Sequence, residues 1–165
     1  MFYRIGFEEI AEEGGTRRER ERTAVLRALR RLAGPEADIK HDESGAPLLV
    51  GAEGYISVTH SRHTAAVLWS STPGWGIDLE EARGEQLRRV APRVLNPDEL
   101  ELFGDNLLKA WTIKEAAFKA AGLPIADLRE LHIHPDGTIS ARDRRLQIVS
   151  SEACGEGWLT VVRSR

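Results

Sequence analysis

The chain has 165 residues, 41% of them hydrophobic and 30% charged, with a formal net charge of −3. This is enough for one globular unit or two small lobes, and the near-balanced charge gives no bulk attraction to nucleic acid or an acidic membrane. A single cysteine, Cys154, excludes a disulfide framework within the chain. No apolar run approaches the about 18–20 residues of a membrane-spanning helix. The start, Met1-Phe2-Tyr3-Arg4, leads into acidic residues and lacks the basic-then-apolar order of a signal peptide, so a cytoplasmic protein is expected.

Met1, Tyr3, Ile5 and Phe7 alternate with Phe2, Arg4 and Gly6, which predicts a strand. After Gly14-Gly15, Thr16 and Glu19 have the spacing of a capping box. The helix that follows places Val25, Ala28, Leu29 and Leu32 on one face and ends at Gly34-Pro35. It carries Arg17, Arg18, Arg20, Arg22, Arg27, Arg30 and Arg31. Three readings are open for these: a solvated face balanced by Glu19 and Glu21, contacts to a phosphorylated ligand, or a nucleic-acid patch. The last is weakened because no aromatic residues interleave.

Asp42 to Gly45 predicts a turn and Pro47-Leu48-Leu49 a short extended piece. Tyr55 to Thr59 reads as a strand with Ile56 and Val58 on one side. Thr64 to Trp69 is almost wholly apolar and reads as a strand buried on both faces, or a short buried helix. Thr59-His60-Ser61 lies between them, either as a connection whose side chains cap the backbone or as a binding loop at strand ends; His63 reads as surface. Ser71-Thr72-Pro73-Gly74 is a turn and the expected boundary between lobes 1–72 and 73–165.

Trp75 to Leu79 reads as a strand and residues 81–84 as a polar loop. Leu87, Val90, Ala91 and Val94 keep helical spacing, with Pro92 expected to end or kink the helix. Asn96-Pro97-Asp98-Glu99 is a helix start. Leu107 to Ala121 is the clearest helix, stopped by Gly122 and Pro124. At about 100° per residue, Leu107, Trp111 and Phe118 form one apolar arc with Glu115 at its edge, Lys119 beyond it and Lys114 on the other flank. Leu131 to His134 and Thr138 to Ala141 predict a hairpin around Pro135-Asp136-Gly137, and Leu146, Ile148, Leu159 and Val161 extend it as a meander. The whole reads as α+β, two similar lobes.

Asp78 and Glu80 point to one side of their strand, and Glu115 and Lys119 lie one turn apart on their helix. Three carboxylates and a lysine suit a hard cation and a phosphate. The plainer alternative is a Glu115–Lys119 helix pair worth about 0.2–0.5 kcal/mol. His132 and His134 share a strand face, but no third metal ligand stands at useful spacing. Walker and dinucleotide glycine motifs are absent.

Gly76-Ile77-Asp78-Leu79-Glu80, followed by Trp111-Thr112-Ile113-Lys114-Glu115-Ala116-Ala117-Phe118-Lys119, resembles the paired signature of the 4′-phosphopantetheinyl transferases. Gly45-Ala46-Pro47, Ile56 to Ser61 and Arg22-Thr23 resemble upstream blocks of the two-lobed type, which acts on peptide and polyketide synthase carriers. The resemblance implies two α+β lobes in a pseudo-two-fold arrangement within a monomer. It implies transfer of phosphopantetheine from coenzyme A to a serine of an apo acyl or peptidyl carrier protein, releasing adenosine 3′,5′-bisphosphate. It implies Mg²⁺, or Mn²⁺, on Asp78, Glu80 and Glu115, with Lys119 on the pyrophosphate and Glu115 or a water it orients as general base. Arg22, Gly45, Pro47, Thr59, His60, Lys114 and Lys119 correspond to coenzyme contacts, which places the nucleotide end with lobe 1–72 and the metal with lobe 73–165. The carrier is expected near the segment after Glu80, with Arg88, Arg89 and Arg93. No nucleic acid and no membrane are implied. Ala46 stands where the family commonly has a lysine, and the N-terminal block is short for the two-lobed type. The alternative is therefore a homologue that binds coenzyme A or a carrier with little turnover.

Overall fold

The computed structural model describes residues 2–81 and 84–165. The chain is α+β with three antiparallel sheets, and it divides into two compact units, Met1–Pro73 and Gly74–Arg165. Among the described residues no helix is long and apolar enough to cross a membrane.

The first unit begins with β1 (Tyr3–Glu9) and α1 (Arg17–Ala33). The start of α1 is fixed reciprocally. Glu19 N–H donates to Thr16 Oγ1 at 3.3 Å, and Thr16 N–H donates to Glu19 Oε2 at 2.7 Å. The hairpin β2 (Asp38–His41) and β3 (Pro47–Val50) follows, then β4 (Tyr55–His60) and β5 (Thr64–Ser70). β5 is the central strand in the order β1-β5-β4. Ala65 to Leu68 are fully buried there, which decides in favour of a strand for that apolar run. Ala24, Val25, Ala28 and Leu29 of α1 pack with Ala65 and Val67 to form the core.

The second unit begins with β6 (Trp75–Glu81), followed by α2 (Gly84–Val94), α3 (Pro97–Phe103) and α4 (Leu107–Ala121). Of the expected polar loop 81–84, Glu81 closes β6, Gly84 opens α2, and 82 and 83 lie outside the described residues, as does Met1. Pro92 is accommodated in the last turn of α2. A single 3-10 turn (Leu128–Glu130) leads to β7 (Leu131–Ile133), β8 (Thr138–Ala141), β9 (Arg144–Cys154) and β10 (Gly157–Ser164). The sheet order is β6-β10-β9-β8-β7.

Each unit thus pairs its first strand with its last, β1 with β5 and β6 with β10, and lays a helix across that pair. In the second unit the helix is α4, and Gly76 permits the contact. A Cβ there would lie 2.0 Å from the Ala116 carbonyl oxygen and 2.7 Å from the Ala120 nitrogen. Only glycine lets strand and helix backbones approach this closely.

The buried face of α4 differs from the expected arc. Ala110, Ile113, Ala116, Ala117, Ala120 and Ala121 are buried, while Trp111 is half-buried and Phe118 is 40% exposed. The close backbone approach at Ala116 and Ala120 leaves room there only for small side chains, and the larger aromatics lie on the flank of the helix. Glu115 and Lys119 share that flank, one and two turns beyond Trp111.

Candidate functional site

The carboxylates of the second unit are positioned by β6 and α4. Asp78 is buried on β6, and Glu80 two residues on points to the same side. From α4, the Lys119 ammonium donates to the Ile77 carbonyl and to Asp78 Oδ1, both at 2.9 Å. Lys119 therefore pairs across to the strand, not along its own helix to Glu115. This replaces the plain helix-pair alternative.

Burial raises the Glu115 carboxyl above its ordinary range. The negative charge of Asp78 pushes it further up, Lys119 pulls it back, and Glu80 adds a smaller push. Asp78, Lys119 and Glu80 thus all act on the Glu115 carboxyl. Among the described residues no three of His, Cys, Asp and Glu are gathered tightly enough to enclose a metal ion. The donor set nevertheless fits Mg²⁺, which takes oxygen ligands and is commonly held by one or two carboxylates together with substrate phosphates and water. The charges of Asp78 and Glu80 on Glu115, only partly offset by Lys119, are what a cation would relieve.

Lys114 departs from the expected role. Its side chain is fully buried, its ammonium lies 2.7 Å from Glu99 Oε2, and it donates to the Leu128 carbonyl at 3.2 Å and to the Leu131 carbonyl. Three acceptors take its three donors, which leaves none for a coenzyme phosphate. Burial pulls this ammonium below the ordinary lysine value, and Glu99 pulls it back.

In the first unit, Thr59 is buried and His60 exposed at the end of β4, so His60 belongs to the strand end and not to the loop. His60 Nδ1 lies 3.6 Å from Glu21 Oε1, and Arg17 reaches both Glu21 and the Ser61 carbonyl. This brings the second turn of α1, where Arg22 sits, beside the end of β4. Glu21 was not legible as a site neighbour, since nothing in its spacing points to His60.

Most α1 arginines are tied down locally. Arg20 donates to the Gly15 carbonyl, Arg30 to the Ala37 carbonyl, and Arg27 and Arg31 face Glu8. Arg18 and Arg22 are exposed and have no such partner among the described residues. Gly45 lies in the turn between β2 and β3, and Pro47 opens β3, in a separate two-stranded sheet. There Asp42 Oδ1 accepts from the N–H groups of Ser44 and Ala46, and Gly45 takes φ +85°, a conformation that favours glycine. Ala46 presents no charged group at this turn.

His132 and His134 also have partners. His132 Nε2 lies 3.0 Å from Asp98 Oδ2, and His134 Nε2 meets the Ser140 hydroxyl.

Residues 74–158 match the family model of the 4′-phosphopantetheinyl transferase superfamily, a span that includes Asp78, Glu80, Glu115 and Lys119. The chain belongs to this superfamily. A search of curated proteins returned no match. As a superfamily member the chain is a phosphopantetheinyl transferase in general type, and the fold described above agrees with that of the family.

Proposed function

We propose that this transferase moves the 4′-phosphopantetheine group from coenzyme A to a serine of an apo acyl or peptidyl carrier protein, acting as a cytoplasmic monomer. The observation that carries the proposal is the arrangement on β6 and α4. Lys119 bridges Ile77 and Asp78, and Glu115, on the same helix flank, feels both strand carboxylates.

In the proposed reaction the carrier serine oxygen bonds to the β-phosphorus of coenzyme A. The bond from that phosphorus to the bridging oxygen breaks, and adenosine 3′,5′-bisphosphate leaves with the electron pair. Glu115, or a water it orients, takes the serine proton. Lys119 holds the pyrophosphate and offsets charge on the leaving oxygen. Asp78, Glu80 and Glu115 would hold Mg²⁺ or Mn²⁺, which when bound supplies positive charge to the pyrophosphate oxygens.

We assign the nucleotide end of coenzyme A to Arg22, Gly45, Pro47, Thr59 and His60. The exposed, locally unpaired guanidinium of Arg22 and the exposed ring of His60 support this. The carrier is assigned to α2, whose Arg88 and Arg93 are exposed and whose Arg89 pairs with Glu85 at 2.7 Å.

The test is conversion of purified apo carrier proteins to their holo mass with coenzyme A and Mg²⁺. Asp78→Ala and Glu115→Ala should each abolish conversion while the circular dichroism spectrum is kept. Conversion that survives both changes refutes the site. Coenzyme A binding without any change of carrier mass favours a binding homologue, a reading motivated by Ala46.

A further inference from the structure

A hydrogen-bonded chain runs beneath the carboxylates, from Trp158 to the backbone of α4. Trp158 Nε1 lies 2.8 Å from Ser151 Oγ, Ser151 Oγ 2.9 Å from Thr160 Oγ1, Thr160 Oγ1 2.9 Å from Thr112 Oγ1, and Thr112 Oγ1 3.0 Å from the Lys109 carbonyl oxygen. Its direction is determined by chemistry. An indole N–H only donates, a carbonyl only accepts, and each hydroxyl has one proton. Thr112 donates to Lys109 O, so it accepts from Thr160. Thr160 therefore accepts from Ser151, and Ser151 from Trp158. Every donor in the chain is used once, and Thr112 and Thr160 are fully buried.

The strand register ties this chain to the site. Thr160 stands opposite Asp78 and Trp158 opposite Glu80. Residues directly opposite in antiparallel strands share a face with Cβ atoms about 4.5–5.5 Å apart. Thr112 lies one turn before Glu115 on α4. The Thr112–Thr160 bond thus joins the helix carrying Glu115 to the strand residue that neighbours Asp78. It does so where Gly76 has already removed the side chain that would hold the two elements apart.

We propose that Thr160 is a positioning residue for the cation site, acting through its hydrogen-bonded chain to hold Glu115 at a fixed distance from Asp78 and Glu80. The proposal rests on the assignment of Mg²⁺ to these carboxylates. A valine at 160 has the same shape and no hydroxyl. It leaves Ser151 without its acceptor and Thr112 without its donor, and frees α4 to shift along β10.

The experiment is a calorimetric titration of Mg²⁺ into the full chain with coenzyme A present, alongside the KM for Mg²⁺ and kcat of transfer. Thr160→Val is expected to weaken Mg²⁺ binding about tenfold, raising the KM for Mg²⁺ while kcat at saturating Mg²⁺ changes little. Thr160→Ser, which restores the hydroxyl, should recover the wild-type affinity. Ser151→Ala, which cuts the chain one link further out, should give a smaller loss in the same direction and keeps the test open if Thr160→Val does not fold. Wild-type Mg²⁺ affinity in Thr160→Val or Ser151→Ala overturns the proposal. So does a Thr160→Ser variant as weak as Thr160→Val. If the wild-type chain shows no Mg²⁺ binding and no transfer, the metal assignment itself fails, and the proposal falls with it.

Discussion

Lys114 and Glu99 form a fully buried ion pair, with the Lys114 ammonium 2.8 Å from Glu99 Oε1 and 2.7 Å from Oε2. The same carboxylate accepts from the Asn96 N–H at 2.7 Å and the Ile133 N–H at 2.6 Å. One acidic residue of α3 thereby fastens the start of its own helix, the middle of α4 and strand β7. Lys114 immediately precedes Glu115, so this pair also fixes the helix on which the site depends.

Removing either partner leaves the other charge buried and uncompensated. Glu99→Gln or Lys114→Met should destabilise the chain by about 3–5 kcal/mol in urea unfolding. The double change Glu99→Leu with Lys114→Met should cost less than the two single changes together. Coenzyme A affinity of the folded fraction should be unaltered in Lys114→Met. A raised KM for coenzyme A with no loss of stability would return Lys114 to a ligand role.

Gly76→Ala would drive a methyl group into the Ala116 carbonyl. The expected cost is about 1–3 kcal/mol or more, with α4 pushed off β6. The Lys119 bonds to Ile77 and Asp78 depend on that contact, so transfer activity should fall further than the loss of folded protein explains. A stable, fully active Gly76→Ala variant would contradict the packing described.

Glu115 holds its proton more tightly in the folded metal-free chain than in the unfolded one, because burial and Asp78 raise its pKa. The folded state then binds more protons over the interval between the two values. The stability that depends on Glu115 is complete below the ordinary glutamate range and falls as pH rises through the raised value. Glu115→Gln lacks this loss. Without metal, its melting temperature relative to wild type should climb as pH rises above the ordinary glutamate range and through the raised value. Added Mg²⁺ should stabilise wild type more than the variant. A difference that is flat across this range would show that Glu115 does not titrate in the manner described.

By resemblance His60, with Thr59, corresponds to residues that bind the 3′-phosphate of coenzyme A, and we propose that Arg22, on the helix turn beside His60, contacts the same group, which dephospho-coenzyme A lacks. Arg22→Ala should raise the KM for coenzyme A about tenfold, the scale of a lost hydrogen bond to a charged group. The KM for dephospho-coenzyme A should move little. Equal effects on both substrates would assign Arg22 elsewhere.

Short-range features were legible from residue order. The Thr16–Glu19 box, the bounds of α4 and the β7–β8 hairpin depend on neighbours a few positions apart. Strand and helix periods put Asp78 with Glu80 and Glu115 with Lys119 on shared faces, but periodicity alone equally allows a plain helix pair, and it is the resemblance to the paired signature that singles the four out. What stayed hidden depends on distant pairing. β6 and β10 lie at opposite ends of their unit, so nothing local puts Thr160 against Asp78 or Trp158 against Glu80. Glu99 read as a helix-start residue and Lys114 as a phosphate contact, because their pairing joins two helices. Trp111 and Phe118 read as core, since hydrophobicity alone does not show that Gly76 brings β6 against Ala116 and Ala120 and leaves the aromatics on the flank.

The decisive measurement for the proposed role of Asp78, Glu80, Glu115 and Lys119 in phosphopantetheinyl transfer is the intact mass of apo carrier proteins after incubation with the chain, coenzyme A and Mg²⁺. Wild type should add the mass of one phosphopantetheine group to the carrier serine, and folded Asp78→Ala or Glu115→Ala should add none. An unchanged carrier mass across a panel of carriers from the same cell, or full conversion by both variants, would contradict that role.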